Sequence, residues 1–248
     1  MTKPYYETEL GKLYHGDCLT IMPQLEPVDL VLTDPPYGTT ACKWDSIVPL
    51  DLMWKAITTI RKLKTPVVLF GTEPFSSMLR MSNLQEFKYD WIWDRGRACN
   101  AYTAKQRPLK YHEIVSVFFN SNYYPIMSIG RMIKKASGGK SELFNTDNPI
   151  ERNENCRYYP TSLIVFKACH NMQGKIHPTQ KPVSLISYLI ETYTNKNDLT
   201  LDFTIGSGTT AIACERLNRK WIGIEIEEKY CEISAKRIEA ERKQLKLF

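Results

Sequence analysis

Leu199–Ala213 reads LTLDFTIGSGTTAIA, and its order of strand, glycine turn and helix decides the fold class. An apolar run closes at Asp202–Phe203, a glycine loop follows, and an apolar helix starts at Thr209. Gly206, Gly208 and Ala211 satisfy G-x-G-x-x-A, and Glu225 stands nineteen residues beyond Gly206 at the end of the next apolar run, Lys220–Glu225. Glycine at such a turn lets backbone approach a bound nucleotide, and a carboxylate on the following strand can accept from two ribose hydroxyls. The stretch alone leaves NAD, FAD and S-adenosylmethionine open as ligands, beside a plain glycine turn that packs a helix on a strand.

The same alternation runs outward from this unit. Upstream, Pro182 opens a helix that reaches Thr194, and downstream a charged amphipathic helix runs to the C-terminus. Val28–Thr33 (VDLVLT) and Pro66–Gly71 (PVVLFG) are nearly continuous apolar runs, as strands buried on both faces are. Between them, Asp51–Lys64 presents Leu52, Ile57, Ile60 and Leu63 as the packed face of a helix, and Asp90–Trp93 and Ile114–Phe119 read as further strands. Strands alternating with helices predict an α/β fold, a doubly wound and mostly parallel sheet with ligand sites at the strand ends.

Composition agrees with a soluble globular chain. Of 248 residues, 43% are hydrophobic and 24% charged, which excludes disordered, collagenous and coiled-coil classes. The net charge of +6 permits a polyanionic partner. Seven cysteines lie at wide intervals with no C-x-x-C pair, so no metal site is expected. The opening MTKPYYETEL has no apolar signal core, and no apolar run is long enough to span a bilayer. A reduced, cytoplasmic protein without membrane contact is the expectation.

Thr33–Gly38 reads TDPPYG directly after the buried run VDLVL. Consecutive prolines hold an extended backbone and offer carbonyls without competing N–H donors. Asp34 and the Pro35 carbonyl can accept both hydrogens of an exocyclic amine, Pro36 stiffens the clamp, and Tyr37 can stack on the ring that bears the amine. For DPP by itself, a Pro-Pro turn with a capping aspartate is the simpler meaning.

With these motifs in place, the chain resembles the amino-methylating DNA methyltransferases of the β arrangement, in which DPPY precedes the cofactor loop. DPPY at Asp34–Tyr37, HPTQKP at His177–Pro182 and the glycine motif at Asp202–Thr210 follow in family order. The resemblance implies a Rossmann-like S-adenosyl-L-methionine-dependent fold. It implies a catalytic half over residues 1–119, a target-recognition insertion over 120–162 and a cofactor-binding half over 163–248. Asp202, Phe203, Thr204, Gly206, Ser207, Gly208, Thr209 and Thr210 should hold the methionine part of the cofactor. Glu225 should bind its ribose, Ile226 should pack on its adenine, and Gln180 and Lys181 should close over it. His15–Cys18 matches the family's G-D element, so Asp17, beside Cys18, should accept from the adenine amine. Asp34 should face the cationic sulfonium. The family usually writes D-P-F-x-G-S-G-T-T, whereas Phe203 and Thr204 stand here in place of proline and an aromatic ring.

The implied reaction is methyl transfer from S-adenosyl-L-methionine to the N6 amine of adenine in DNA after base flipping. Cytosine-N4, RNA and protein-glutamine methylation are the alternatives; Asp at the head of the clamp resembles the adenine enzymes. A nicotinamide oxidoreductase would leave TDPPYG unexplained, and a DNA-binding module without catalysis would not need the intact motifs. Residues 120–161 are rich in proline, glycine and asparagine without sustained period, the character of a recognition loop. Basic residues gather there and just before it: Arg95, Arg97, Lys105, Arg107 and Lys110, then Arg131, Lys134, Lys135, Lys140, Arg152 and Arg157. Lys134 and Lys135 are expected on phosphates, and Arg131, Arg152 and Arg157 on base edges. A solvated basic face would have the same composition. The implied partners are double-stranded DNA and, in a restriction–modification setting, a cognate restriction endonuclease; a homodimer stays open.

Overall fold

Apolar side chains that alternate along buried strands and recur every third or fourth residue on helices require two layers of helix, one on each sheet face. The computed structural model, which describes residues 2–39, 45–119, 122–130, 156–169 and 180–245, has that arrangement. The chain begins β1 (Tyr6–Glu7), β2 (Gly11–His15), α1 (Cys18–Ile21), β3 (Leu30–Thr33), α2 (Leu50–Ile60) and β4 (Val67–Gly71). It continues α3 (Phe75–Met81), β5 (Phe87–Asp94), β6 (His112–Phe118), β7 (Ser128–Ile129), β8 (Arg157–Tyr158) and β9 (Leu163–Val165). The last elements are α4 (Val183–Tyr193), β10 (Leu199–Asp202), α5 (Thr209–Leu217), β11 (Lys220–Glu225) and α6 (Glu228–Leu245).

One sheet runs in the order β1-β2-β11-β10-β3-β4-β6-β5-β9. The pairings from β2 through β11, β10 and β3 to β4 are parallel, as is β5 with β9, while β1–β2, β4–β6 and β6–β5 are antiparallel. Alternate residues of the central strands feed two cores. Leu30, Leu32, Val68 and Phe70 pack with Leu185, Leu189 and Ala211 of α4 and α5. Val31, Val67 and Leu69 pack with Met53, Ile57, Phe75 and Leu79 of α2 and α3. The expected doubly wound, mostly parallel sheet is therefore the observed one.

Residues Pro125–Thr161 form a separate unit, in which β7 pairs antiparallel with β8 and Gly130 lies under the Tyr158 ring. Among the described residues, no helix is long and apolar enough to cross a membrane.

Local departures from the expected elements have physical causes. The helix expected to reach Lys64 stops at Ile60, because Arg61 turns extended and bridges Val28. Leu63 is 85% exposed and Leu52 43% exposed, so neither belongs to the packed face; Met53, Trp54, Ile57 and Ile60 do. The helix that starts at Thr209, as expected, ends at Leu217, where Asn218 caps it in the left-handed region. The strands β1, β2 and β9 and the helices α1 and α3 are too short to announce themselves by period, α3 at seven residues being the longest. By urea unfolding, Ile57→Ala should lose about 2–5 kcal/mol of stability. Leu63→Ala should change it by about 0.5 kcal/mol or less.

Candidate active site

The carboxyl ends of β3 and β10 lie side by side, and the chain leaves them toward opposite halves of the sheet. Such a switch point opens a crevice. Here it holds a cavity of about 330 Å³ lined from Gly16–Cys18 through Asp34–Tyr37 and the Asp202–Thr210 loop to Glu225–Glu227, with Gln180 and Lys181 over it.

Asp202 closes the floor. Its buried carboxylate accepts from the Thr33 hydroxyl, from the Thr204 N–H at 3.2 Å and from the Thr210 hydroxyl at 2.6 Å, tying β3, the glycine loop and α5 together. Burial pushes its carboxyl up to about 6 against those hydrogen bonds. The unusual Thr204 has its own role. Its hydroxyl donates to the Asp34 carbonyl at 3.1 Å and lies 2.9 Å from the Thr33 hydroxyl, joining the two motifs directly. Phe203 is buried in the α2–α3 core.

The glycine loop is held from three sides. Glu225 accepts from the Gly206 N–H at 2.8 Å and the Glu227 N–H at 2.9 Å, and burial pushes its carboxyl upward against these bonds. From α6, Ser234 donates to the Gly206 carbonyl at 2.9 Å, and Arg237 donates to the Ser207 carbonyl and hydroxyl. Gly208 has φ +80°, and a Cβ there would come within 2.7 Å of Ser234 Oγ, so only glycine fits. Asp17 caps α1 by accepting from the Leu19 N–H at 2.9 Å while lining the cavity with Cys18. Ile226, 59% exposed, lines the rim.

At the other end, Asp45 accepts from the N–H groups of Tyr37, Gly38 and Thr39 at 2.8, 3.0 and 2.9 Å and thereby sets the course of the clamp. The Tyr37 hydroxyl donates to one oxygen of Asp34, and the Lys181 ammonium to the other. Lys181 is also 3.3 Å from Glu113 Oε2, and Arg95 lies 3.0 Å from Glu113 Oε1. Burial raises the Asp34 carboxyl, and Lys181 and Tyr37 pull it back only in part. For Lys181, burial would lower the ammonium, but Asp34 and Glu113 hold it above its ordinary value.

The sequence signalled neither Asp45, Glu113, Ser234 nor Arg237, since none sits in a motif. Arg95, grouped there with the outward basic residues, faces inward to Glu113. Arg131, Lys134, Lys135 and Arg152 lie outside the described residues, as do His177–Thr179 of HPTQKP. Arg157 stands exposed on β8. Among the described residues, Asp17, Asp34, Asp45, Asp202, Glu225 and Glu227 line the cavity against Lys181 as its one lysine or arginine. That donor set suits a cationic ligand with hydroxyl and amine donors, which S-adenosyl-L-methionine is.

Because the folded Asp202 binds its proton up to about pH 6, its stabilising protonation is lost as pH rises through the interval above the usual carboxylate value. At about pH 7.5, Asp202→Asn should stabilise the unliganded fold by about 1–2 kcal/mol, and this advantage should shrink toward about pH 4.5. Urea unfolding of both proteins at each pH checks this; an advantage that does not change with pH would sink it.

Comparison with known proteins then identifies the chain. Over 96% of its length it is 28% identical to the type II methyltransferase M2.LlaDCHI of Lactococcus lactis subsp. cremoris, covering 93% of that protein. It is 24% identical to the DNA adenine methyltransferase YhdJ of Escherichia coli (strain K12), over 94% of this chain and 84% of that one. The solved M1.HpyAVI-SAM complex superposes with a TM-score of 0.64 at 24% identity, over 92% of this chain and 99% of that one, a likeness of fold. The family model described as DNA methylase matches residues 28–236, and the chain belongs to that N6/N4 DNA methylase family.

Proposed function

We propose that the protein transfers the methyl group of S-adenosyl-L-methionine to the N6 amine of adenine in double-stranded DNA. The observation that carries this is the half-buried Asp34 carboxylate beside Tyr37 at the end of an acidic crevice. The head of the clamp being Asp favours adenine over the N4 amine of cytosine, in agreement with the name of the E. coli relative.

The loop Asp202–Thr210, Glu225, Ile226, Asp17 and Cys18 would hold the cofactor, with Gln180 and Lys181 over it. When bound, the cofactor supplies a methyl group on a cationic sulfonium. An aromatic amine is a poor nucleophile because its lone pair is delocalised into the ring. Asp34 and the Pro35 carbonyl accept its two N–H groups and favour a localised lone pair, so positioning and electrostatics supply the rate. Asp34 is also placed to take the proton that the methylated amine sheds. Tyr37 stacks on the flipped base, and its hydroxyl, bonded to Asp34, helps to orient the carboxylate.

DNA contacts follow charge. In Arg95–His112 five basic residues stand without an acidic one. Arg95 pairs with Glu113 and Arg97 donates to the Cys169 carbonyl, which leaves the half-buried Lys110 and, on the exposed stretch with Tyr102 at 86% exposure, Lys105 and Arg107. This loop joins β5 to β6 on the edge of the sheet that carries Asp34. Lys105 and Arg107 are assigned to phosphates here, with Lys134 and Lys135, and Arg131, Arg152 and Arg157 to bases. A cytoplasmic setting and a cognate restriction endonuclease belong to the same proposal, the latter supported by the type II name of the L. lactis relative. A homodimer would show in light scattering as twice the chain mass.

Sequencing that resolves N6-methyladenine from N4-methylcytosine, on DNA from cells expressing the chain, reports base and site together. With labelled cofactor and unmethylated genomic DNA, Asp34→Ala should abolish transfer and leave the fold and most DNA binding. Tyr37→Phe, losing one hydrogen bond to a charged group, should slow transfer about tenfold. Near-wild-type turnover by Asp34→Ala would refute the mechanism. Lys105→Ala/Arg107→Ala should weaken binding alike across DNA sequences and lower the slope of log affinity on log salt by about two. An unchanged slope would assign the phosphate contacts to Lys134 and Lys135.

A further inference from the structure

Lys181 lies between the half-buried Asp34 carboxylate and the buried Glu113 carboxylate. The lysine side chain is 7% exposed, and its ammonium contacts Asp34 and is 3.3 Å from Glu113 Oε2, over the Phe70 ring at 5.0 Å and the Tyr37 ring at 5.8 Å. The two contacts are unequal. Asp34 receives a close hydrogen bond, whereas the buried Glu113 Oε2 has Lys181 as an ion-pair partner at the longer distance of 3.3 Å and no hydrogen bond from any other group. Glu113 cannot turn away to find a donor, because Arg95 holds its other oxygen at 3.0 Å. The result is a fixed, buried acceptor aimed at a lysine that is bonded elsewhere. A small movement of the ammonium within its aromatic slot would complete that bond and release an oxygen of Asp34.

We propose that Glu113 is a positioning residue for methyl transfer: it draws the Lys181 ammonium off Asp34, leaving that carboxylate for the cationic methyl donor and the target amine. This rests on the proposed function. Arg95, Glu113, Lys181 and Asp34 together carry no net charge, so a sulfonium entering beside them adds a single uncompensated cation. Without the Glu113 charge, Lys181 has Asp34 as its sole carboxylate and neutralises it, and an incoming sulfonium meets one net positive charge, that of Arg95, instead of none. Burial makes such a difference large, since the low local dielectric strengthens each charge.

The readout that isolates this role is the ratio of affinities for S-adenosyl-L-methionine and S-adenosyl-L-homocysteine, which differ in the methyl and its positive charge. Calorimetry on the full chain needs no DNA and no turnover. Glu113→Gln should weaken S-adenosyl-L-methionine binding about tenfold while changing S-adenosyl-L-homocysteine binding by about twofold or less. Glu113→Gln/Lys181→Met, which removes both charges, should return the ratio toward wild type, and it serves as the test should the single variant fail to fold. Equal losses for the two ligands, an unchanged ratio in the single variant, or a ratio that stays low in the double variant would each overturn the role. Failure of the wild-type protein to bind either ligand would instead remove the cofactor assignment on which it rests.

Discussion

Two parallel strands that share hydrogen bonds but send their chains to opposite halves of the sheet cannot be covered by a helix at their common end. β3 and β10 are that pair. The gap must be closed by something small and polar, because the Thr33 and Thr210 hydroxyls and the Thr204 N–H converge there and need an acceptor. Asp202 meets the need, its one carboxylate accepting from Thr33, Thr204 and Thr210. The rest of the site hangs on this junction. The glycine loop starts from it, Thr204 carries it across to the Asp34 carbonyl, and Glu225 and Ser234 hold the loop's far side.

The electrostatics follow from the same geometry. Carboxylates that line a crevice in a folded core are desolvated, and burial raises those of Asp34, Asp202 and Glu225. Each would be more stably buried if neutral, so the unliganded site is a place where the fold is held below its best stability. A cationic ligand reverses that balance at the crevice, and a ligand that binds only the folded state stabilises it by mass action. Stability and affinity are thus coupled through the same three groups.

Much of this was legible in the sequence, for a physical reason. β3 and β4 are buried on both faces, and so their apolar runs are unbroken; G-x-G-x-x-A and TDPPYG are contiguous because a turn and a clamp are local objects. Asp34, Tyr37, Asp202, Gly206 and Glu225 were accordingly found, and the structure brings them to one cavity. Asp45 and Glu113 were not. Asp45 acts on a backbone turn six to eight residues away, and Glu113 comes from an antiparallel strand, on which it reads as one more polar residue in an edge of the pattern. Leu63 misled for the opposite reason. Its helical spacing is genuine, but Arg61 had already left the helix, and local period carries no information about a bridge to Val28.

The residues that escaped the sequence share a property that bears on how the site works. Asp45, Glu113, Arg95, Ser234 and Arg237 each act on another functional group, by fixing its backbone or by sharing its charge. Such groups are bound to no short spacing, because their geometry is set by the sheet rather than by neighbouring residues. Two of the unsatisfied buried polar atoms belong to this set. Among the described residues, Glu113 Oε2 and Arg95 Nε are buried without hydrogen-bond partners, and both belong to the chain of charges that ends on Asp34. A fold selected for stability alone would fill those valences or replace the pair with apolar side chains of like size. Beside Asp34, which the proposed reaction asks to accept an amine, such open valences leave room for a bond that forms only when the substrate is present.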